Sequence, residues 1–397
     1  MFVVGVCIGD ESAYQQIALR SLLAGDLHDS VLIEMRNQVS IHAAYNAVLQ
    51  QARELPELEG VILVHQDLEM RDRHVVEKLR KIFLDQSVGV VGAVGAVGVQ
   101  TLSWWLGDIK GSIAETRQVV GDGCFDVDVD MVDGCFLALS PDVARKLQFD
   151  EVHYTGFHGY DAEICFAARS RGFRVVTGEF DLFHATKGGY GDYTAYCLNN
   201  DSFREKWVLC DTPELSSGRL GLQHNRRKLE IGGGSNCREG WLNLDPIHGT
   251  GDLRRRAEDG VWPLGDGLMM CIYASHVMEQ IPAGQVRIHV MNEAWRVLEP
   301  TGTLEIRVPL FPTAVAIADP THVSFWIPDS IKYFIGASSE PEDYGIQKWN
   351  LASMAVLDGW ELRCVLVKPL DRTARVNSVV EEELIGVKER IMVDQGV

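Results

Sequence analysis

The chain has 397 residues, 46% hydrophobic and 23% charged, which is too long for one ordinary core and too apolar for a disordered polymer. A formal net charge of −19 argues against duplex nucleic acid or an anionic membrane surface as a partner, because the one basic run, Arg254-Arg255-Arg256, meets Glu258 and Asp259 at once. Nine cysteines with no Cys-x-x-Cys pair read as reduced, buried thiols. No apolar run reaches membrane-spanning length, and the apolar N-terminus lacks a basic flank, so a cytoplasmic protein with a first buried strand is expected.

The pattern predicts a strand at 2–8, a helix through Tyr14–Leu23, a strand at 31–35 and an amphipathic helix over 41–53. A central strand follows, Val61-Ile-Leu-Val-His-Gln-Asp-Leu-Glu69. Strands alternating with helices predict an α/β fold with a largely parallel sheet, which binds ligands at the carboxyl ends of its strands. Asp67 and Glu69, at such an end, have the spacing to hold a hard divalent cation, and a cation there can clamp a diphosphate. A solvated strand end is the bland alternative. The glycines of 90–98 recur every third residue, which suits a strand with close backbone approach better than a dinucleotide loop. Trp104 and Trp105 read as core packing or as cover for a sugar face.

Further on come Val132-Asp-Gly134, Phe149-Asp-Glu151, Gly159-Tyr-Asp161, a helix ending Arg169-Ser-Arg-Gly172, and His184 ahead of Trp207. With His65-Gln-Asp67, these motifs resemble a family 2-type glycosyltransferase of the GT-A fold, in the subgroup related to streptomycin biosynthesis. The likeness spans most of 1–207 and implies a nucleotide-diphosphate sugar donor and a divalent metal, Mn or Mg. It implies Asp67, Glu69 and His184 as metal ligands, with Glu69 standing where the family has a second Asp. Asp161 then falls at the position of the catalytic base, and Gln66, Asp133 and Gly134 at the substrate. A carboxylate is what that role needs, since the acceptor hydroxyl must lose its proton as it attacks. Asp161 serves equally well as a helix-capping residue.

The polar stretch 208–225, with Pro and Gly and no periodicity, predicts a linker between domain 1–207 and domain 226–397. After it, Lys228-Leu-Glu-Ile-Gly-Gly-Gly234 reads as strand then glycine loop, and the next strand closes on Asp245. Glycines let backbone approach a ligand, and a carboxylate at that strand end can take both hydroxyls of a ribose. The Glu230 to Asp245 spacing is shorter than the roughly twenty residues of a dinucleotide fold.

Together with Trp262-Pro-Leu-Gly-Asp266, Ser275-His-Val-Met-Glu-Gln280 and Arg296-Val-Leu-Glu-Pro-Thr-Gly302, this resembles a Rossmann-like class I methyltransferase over about 226–391. That likeness implies S-adenosyl-L-methionine as cofactor, held by Glu230, Gly232, Gly233, Gly234, Asp245, Asp266 and His276. Asp319-Pro-Thr-His-Val-Ser-Phe325 resembles an acceptor-side loop, and His322 is the favoured base because imidazole titrates near neutrality. A turn is expected at Gly302, and late strands at about 361–368 and 383–391 are expected to close the sheet as an antiparallel pair. The whole predicts a bifunctional transferase, glycosylating a glycan, glycolipid or metabolite acceptor and then O-methylating it. The alternative is a glycosyltransferase whose second domain only binds or scaffolds, and oligomeric state is left open.

Overall fold

Two compact units divide the chain, Met1–Arg219 and Leu220–Val397. The computed structural model describes residues 1–186, 191–209, 227–249, 253–336 and 344–370, and of the expected linker, 210–225 lie outside the described residues.

The N-terminal unit is mixed α/β. Phe2–Ile8 (β1) is buried almost throughout, as a valine-rich run flanked by parallel neighbours must be. The predicted helix after it forms in three pieces, with Glu11–Ala13 (α1) passing through a π-helical turn into Leu19–Leu22 (α2). Val31–Arg36 (β2), Ile41–Arg53 (α3), Gly60–His65 (β3), Leu68–Met70 (β4) and Val75–Ile82 (α4) follow. Next come Val88–Gly92 (β5), Val94–Val97 (β6), Asp108–Glu115 (β7), Val119–Gly121 (β8), Met131–Val132 (β9) and Phe136–Leu139 (β10). Pro141–Lys146 (α5), Tyr160–Ser170 (α6), Arg174–Thr177 (β11), Leu182–His184 (β12) and Tyr193–Phe203 (α7) complete the unit.

Its main sheet has the order β11-β5-β10-β3-β1-β2, with β10 antiparallel to both neighbours and the other pairings parallel. A second sheet, β4-β12-β7-β6-β9, carries β8 on β7. The repeated glycines of 90–98 have the expected use: a Cβ on Gly92 would meet Val132 Cβ at 2.4 Å, and one on Gly95 would meet the Met131 carbonyl at 2.2 Å. Trp104 is buried, in keeping with its core reading.

The C-terminal unit contains Lys228–Ile231 (β13), Leu242–Leu244 (β14), Met269–Ser275 (β15), Gln285–Val297 (α8) and Leu298–Pro309 (β16). Ala314–Ala318 (α9), Pro328–Lys332 (α10), Asn350–Leu357 (β17) and Glu361–Val367 (β18) complete it. The order is β14-β13-β15-β16-β18-β17, with β14, β13, β15 and β16 parallel and β18 antiparallel to both β16 and β17. Two sequence expectations need correction. The strand begins at Leu298, ahead of the predicted turn, and absorbs Glu299–Gly302 as an irregularity in which Thr301 takes a φ of 67°. The antiparallel partners of 361–367 are Leu298–Pro309 on one side and Asn350–Leu357 on the other, while the expected strand at 383–391 lies outside the described residues.

Candidate active site

β3 ends at His65, and the chain turns through Gln66 and Asp67 into β4. Gln66 Oε1 accepts hydrogen bonds from the backbone N–H groups of Gly9 and Asp10, at 2.7 and 2.6 Å, which ties the exit of β1 to the exit of β3. That oxygen is therefore spent on positioning the edge.

β12 brings His184 to the same place from far along the chain, because it pairs with β4 so that His184 faces Leu68. His184 Nε2 lies 3.3 Å from His65 Nδ1 and 3.4 Å from Asp67 Oδ1. Ligand atoms of His65, Asp67 and His184 all fall within 4.8 Å of one another, the one such group of three among the described residues. Burial depresses the basicity of His65, whereas the carboxylates of Asp67 and Glu115 hold His184 charged although burial opposes it.

Glu69 does not join this group. Strand alternation buries Leu68 and Met70 and turns Glu69 outward, where it pairs with Arg71 at 2.9 Å. His65 occupies the place that the Asp-x-Glu spacing had given to Glu69. Its signal in the sequence was its position two residues before Asp67.

The base candidate arrives on α6, whose entry requires Gly159 at a φ of 83°. Asp161 sits in the first turn, where its carboxylate accepts from Ala162 N–H at 2.9 Å and from Gly134 N–H at 3.2 Å. The residue keeps some surface, yet protein encloses its carboxyl, and burial followed by the neighbouring Asp133 charge raises its pKa to about 7. Asp133 is engaged with Cys135 N–H at 3.0 Å.

Gly134 is obligatory for a packing reason, since a Cβ there would stand 2.1 Å from Tyr160 Oη. That phenol in turn is 2.6 Å from His65 Nε2, so Tyr160 links the base helix to the histidine cluster. The predicted motif Phe149-Asp-Glu151 works one layer down. Asp150 and the buried Glu163 both take Lys206 Nζ, at 2.8 and 2.7 Å, and Asn46 bridges the Phe149 carbonyl and Glu151. These contacts fasten α6.

The family described as glycosyltransferase-like matches residues 2–216. The chain belongs to that family. Its N-terminal unit is accordingly a family 2-like glycosyltransferase domain. The streptomycin biosynthesis protein StrF of Streptomyces griseus is 29% identical over 191 residues, covering 47% of this chain and 68% of StrF. Among solved structures, the mannosyltransferase PcManGT of Pyrobaculum calidifontis, bound to GDP-mannose and Mn2+, aligns at 13% identity with a TM-score of 0.37, over 53% of this chain and 65% of its own. An S-adenosylmethionine-dependent methyltransferase from Aquifex aeolicus aligns at 13% identity with a TM-score of 0.27, over 37% of this chain and 85% of its own.

In the C-terminal unit the glycine loop leaves the carboxyl end of β13. Gly232 needs its φ of 68° and has Val277 Cγ2 at 2.7 Å from where a Cβ would stand. Asp245 closes the loop, with Oδ2 taking Gly234 N–H at 3.2 Å and Oδ1 taking Ile247 and His248 N–H at 2.8 and 2.7 Å. Burial alone would raise its pKa, but these amides prevail and lower it. Glu230 accepts from Arg238 N–H at 2.9 Å, and Gly233 packs on Asn243 Oδ1.

Asp266 belongs elsewhere, contrary to the cofactor role expected for it. It precedes β15 and so lies at the amino end of the parallel strands, opposite the glycine loop, with its exposed carboxylate paired to Arg296 at 2.7 Å.

His276 stands at the carboxyl end of β15 with a φ of 54°, stacked on Trp360 and 3.0 Å from Glu361. The carboxylate of Glu279, then that of Glu361, raises its pKa although burial opposes it. His322 turns Nδ1 to the Ala316 carbonyl at 3.1 Å and faces Glu279 and Asp319 with Nε2, each at 3.7 Å. Glu279 was not foreseen as a functional residue. It is 2% exposed, 3.7 Å from an imidazole nitrogen of both histidines, and neither of its oxygens accepts a hydrogen bond among the described residues.

Proposed function

We propose that the N-terminal unit transfers a sugar from a nucleotide-diphosphate donor to an acceptor hydroxyl, with Asp161 as general base. The observation that carries this reading is the buried Asp161 carboxyl, raised to about 7 beside Asp133 and joined through Gly134 and Tyr160 to the His65, Asp67 and His184 group. A base with that affinity takes the acceptor proton at neutral pH while the acceptor oxygen attacks the anomeric carbon and the bond to the diphosphate breaks. Gly134 N–H holds one carboxylate oxygen and Ala162 N–H the other, which fixes the orientation of the carboxyl group.

Two imidazoles and one carboxylate fit a divalent ion once His184 gives up its proton, and that mixed donor set favours Mn over Mg, which prefers oxygen alone. When bound, such an ion supplies positive charge for the departing diphosphate.

For the C-terminal unit we infer S-adenosyl-L-methionine binding and O-methylation. The support is a glycine loop in which a side chain at Gly232 would collide with Val277, opposite an Asp245 held ionised at the next strand end. The cofactor, when bound, supplies an electrophilic methyl group. His322 Nε2, 3.7 Å from a carboxylate oxygen of both Glu279 and Asp319, is the candidate to receive the acceptor proton.

Thermal denaturation of the full chain tests both halves, because a ligand that binds only the native state raises the melting temperature. UDP or GDP with MnCl2 should raise it more than either alone, and S-adenosylhomocysteine should raise it independently. No response to any nucleoside diphosphate with manganese would sink the first reading, and none to S-adenosylhomocysteine the second.

A further inference from the structure

Tyr160 sits between the two halves of the glycosyl-transfer site. It opens α6 one position before Asp161, and its phenol oxygen stands 2.6 Å from His65 Nε2. The ring has no room to swing away. It is 4% exposed, packs edge-on against Tyr45 at 5.5 Å and tilted against Phe149 at 6.4 Å, and meets the backbone of Gly134 at its hydroxyl end. A phenylalanine would fill nearly the same space. What the hydroxyl adds is a partner for His65.

His65 turns its two ring nitrogens in different directions. Nδ1 faces the candidate ligand group, 3.3 Å from His184 Nε2, and Nε2 faces Tyr160. An imidazole nitrogen binds a cation through its lone pair, so ligation at Nδ1 requires the ring proton to sit on Nε2. A buried N–H there needs an acceptor. Histidine ligands are commonly held in this way, the far nitrogen donating to a fixed oxygen, and loss of that oxygen weakens the metal. Tyr160 Oη is the oxygen at this position. With the tautomer reversed, an N–H would point at His184 Nε2 and into the space an ion needs.

We propose that Tyr160 is a positioning residue of the metal site: its phenol oxygen accepts the Nε2 proton of His65, which leaves Nδ1 as the ligating atom and fixes the ring plane. This deepens the glycosyl-transfer reading and rests on its divalent ion. The same phenol joins the ion to the first turn of α6, so ion occupancy and the placement of Asp161 are coupled through one contact.

The test is Mn2+ calorimetry on the full chain with UDP or GDP present, comparing Tyr160→Phe with Tyr45→Phe. Each variant removes one buried phenol oxygen from the same ring cluster, but Tyr45 Oη has no hydrogen-bond partner among the described residues. Tyr160→Phe should weaken Mn2+ binding by about 10–100-fold, and Tyr45→Phe should leave it unchanged. In a His65→Ala background the loss caused by Tyr160→Phe should vanish, because the two residues act through one contact. Unchanged affinity in Tyr160→Phe, an equal loss in Tyr45→Phe, or a loss that persists without His65 overturns the proposal. Mn2+ binding by the unaltered protein that ignores Tyr160 sinks this inference alone, whereas no Mn2+ binding at all sinks it together with the metal reading. If Tyr160→Phe does not fold, nitrogen NMR of the unaltered protein with isotope-labelled histidine and Zn2+ decides. His65 should then ligate through Nδ1 with Nε2 protonated, and ligation through Nε2 overturns the proposal.

Discussion

The two units use carboxylates at strand and helix ends in opposite ways. Asp161 receives two backbone N–H groups but lies enclosed beside Asp133, and its proton affinity rises. Asp245 receives three, at a more open loop, and its proton affinity falls. In the proposed reading the first takes a proton and the second stays charged. Burial against the number of amide donors decides between these roles, while the residue type is the same.

The sharpest way to break this contrast is Asp161→Asn, which should lower glycosyl transfer by about 10²–10⁴-fold, read as nucleoside diphosphate released in the presence of acceptor. In the unaltered protein the same rate should climb as pH rises through about 7, where Asp161 ionises; a rate flat from pH 6 to 8 would remove it as the base. The sign for stability is the reverse. A carboxyl whose folded pKa lies above its unfolded value contributes stability below that unfolded value and loses it as pH rises through the folded one. Asp161→Asn should therefore stabilise the protein at pH 8, on the order of 2 kcal/mol, and have little effect at pH 4.

Next in size, His184→Ala or Asp67→Asn should weaken Mn2+ binding by about 10–100-fold, measured by calorimetry with the nucleoside diphosphate present. His65→Ala should do the same. Glu69→Gln should leave the affinity unchanged, and a loss there matching that of His65 would restore the Asp-x-Glu reading.

Asp245→Asn should cut S-adenosylhomocysteine affinity and also destabilise the chain by about 1–3 kcal/mol at neutral pH, because loop amides lose a charged acceptor. Its contribution is present above the unfolded pKa and is lost as pH falls through the depressed folded value. The smallest effect belongs to Asp266→Asn, an exposed pair partner at the far end of the strands, expected within about 0.5 kcal/mol and with cofactor affinity intact.

Much of the architecture was legible from period and punctuation. The valine runs of β1, β3 and β5, the amphipathic α3 and the glycine loop after β13 all announced a largely parallel α/β arrangement. Asp67, Asp161 and His184 were legible as polar residues at such ends, with their roles left to the proposed reading. What a one-dimensional reading lacked was direction. Asp67-x-Glu69 offers two carboxylates at metal spacing, yet the residues flanking Asp67 leave a strand end in different phases, and only pairing with β12 fixes which side faces His184. Asp266 stood near a strand, but a parallel sheet has two ends, and the end is known only once β15 is registered against β13.

The sequence by itself determined that the chain is two α/β units, and it located the glycine loop and the acidic strand ends, because hydrophobic period and glycine placement are local properties. Only the tertiary structure decided which side chains meet there. His65 with His184, Gly134 beneath Tyr160, and Glu279 between two histidines are encounters across sheets and loops, where distance and burial, not spacing, set the charge each group carries.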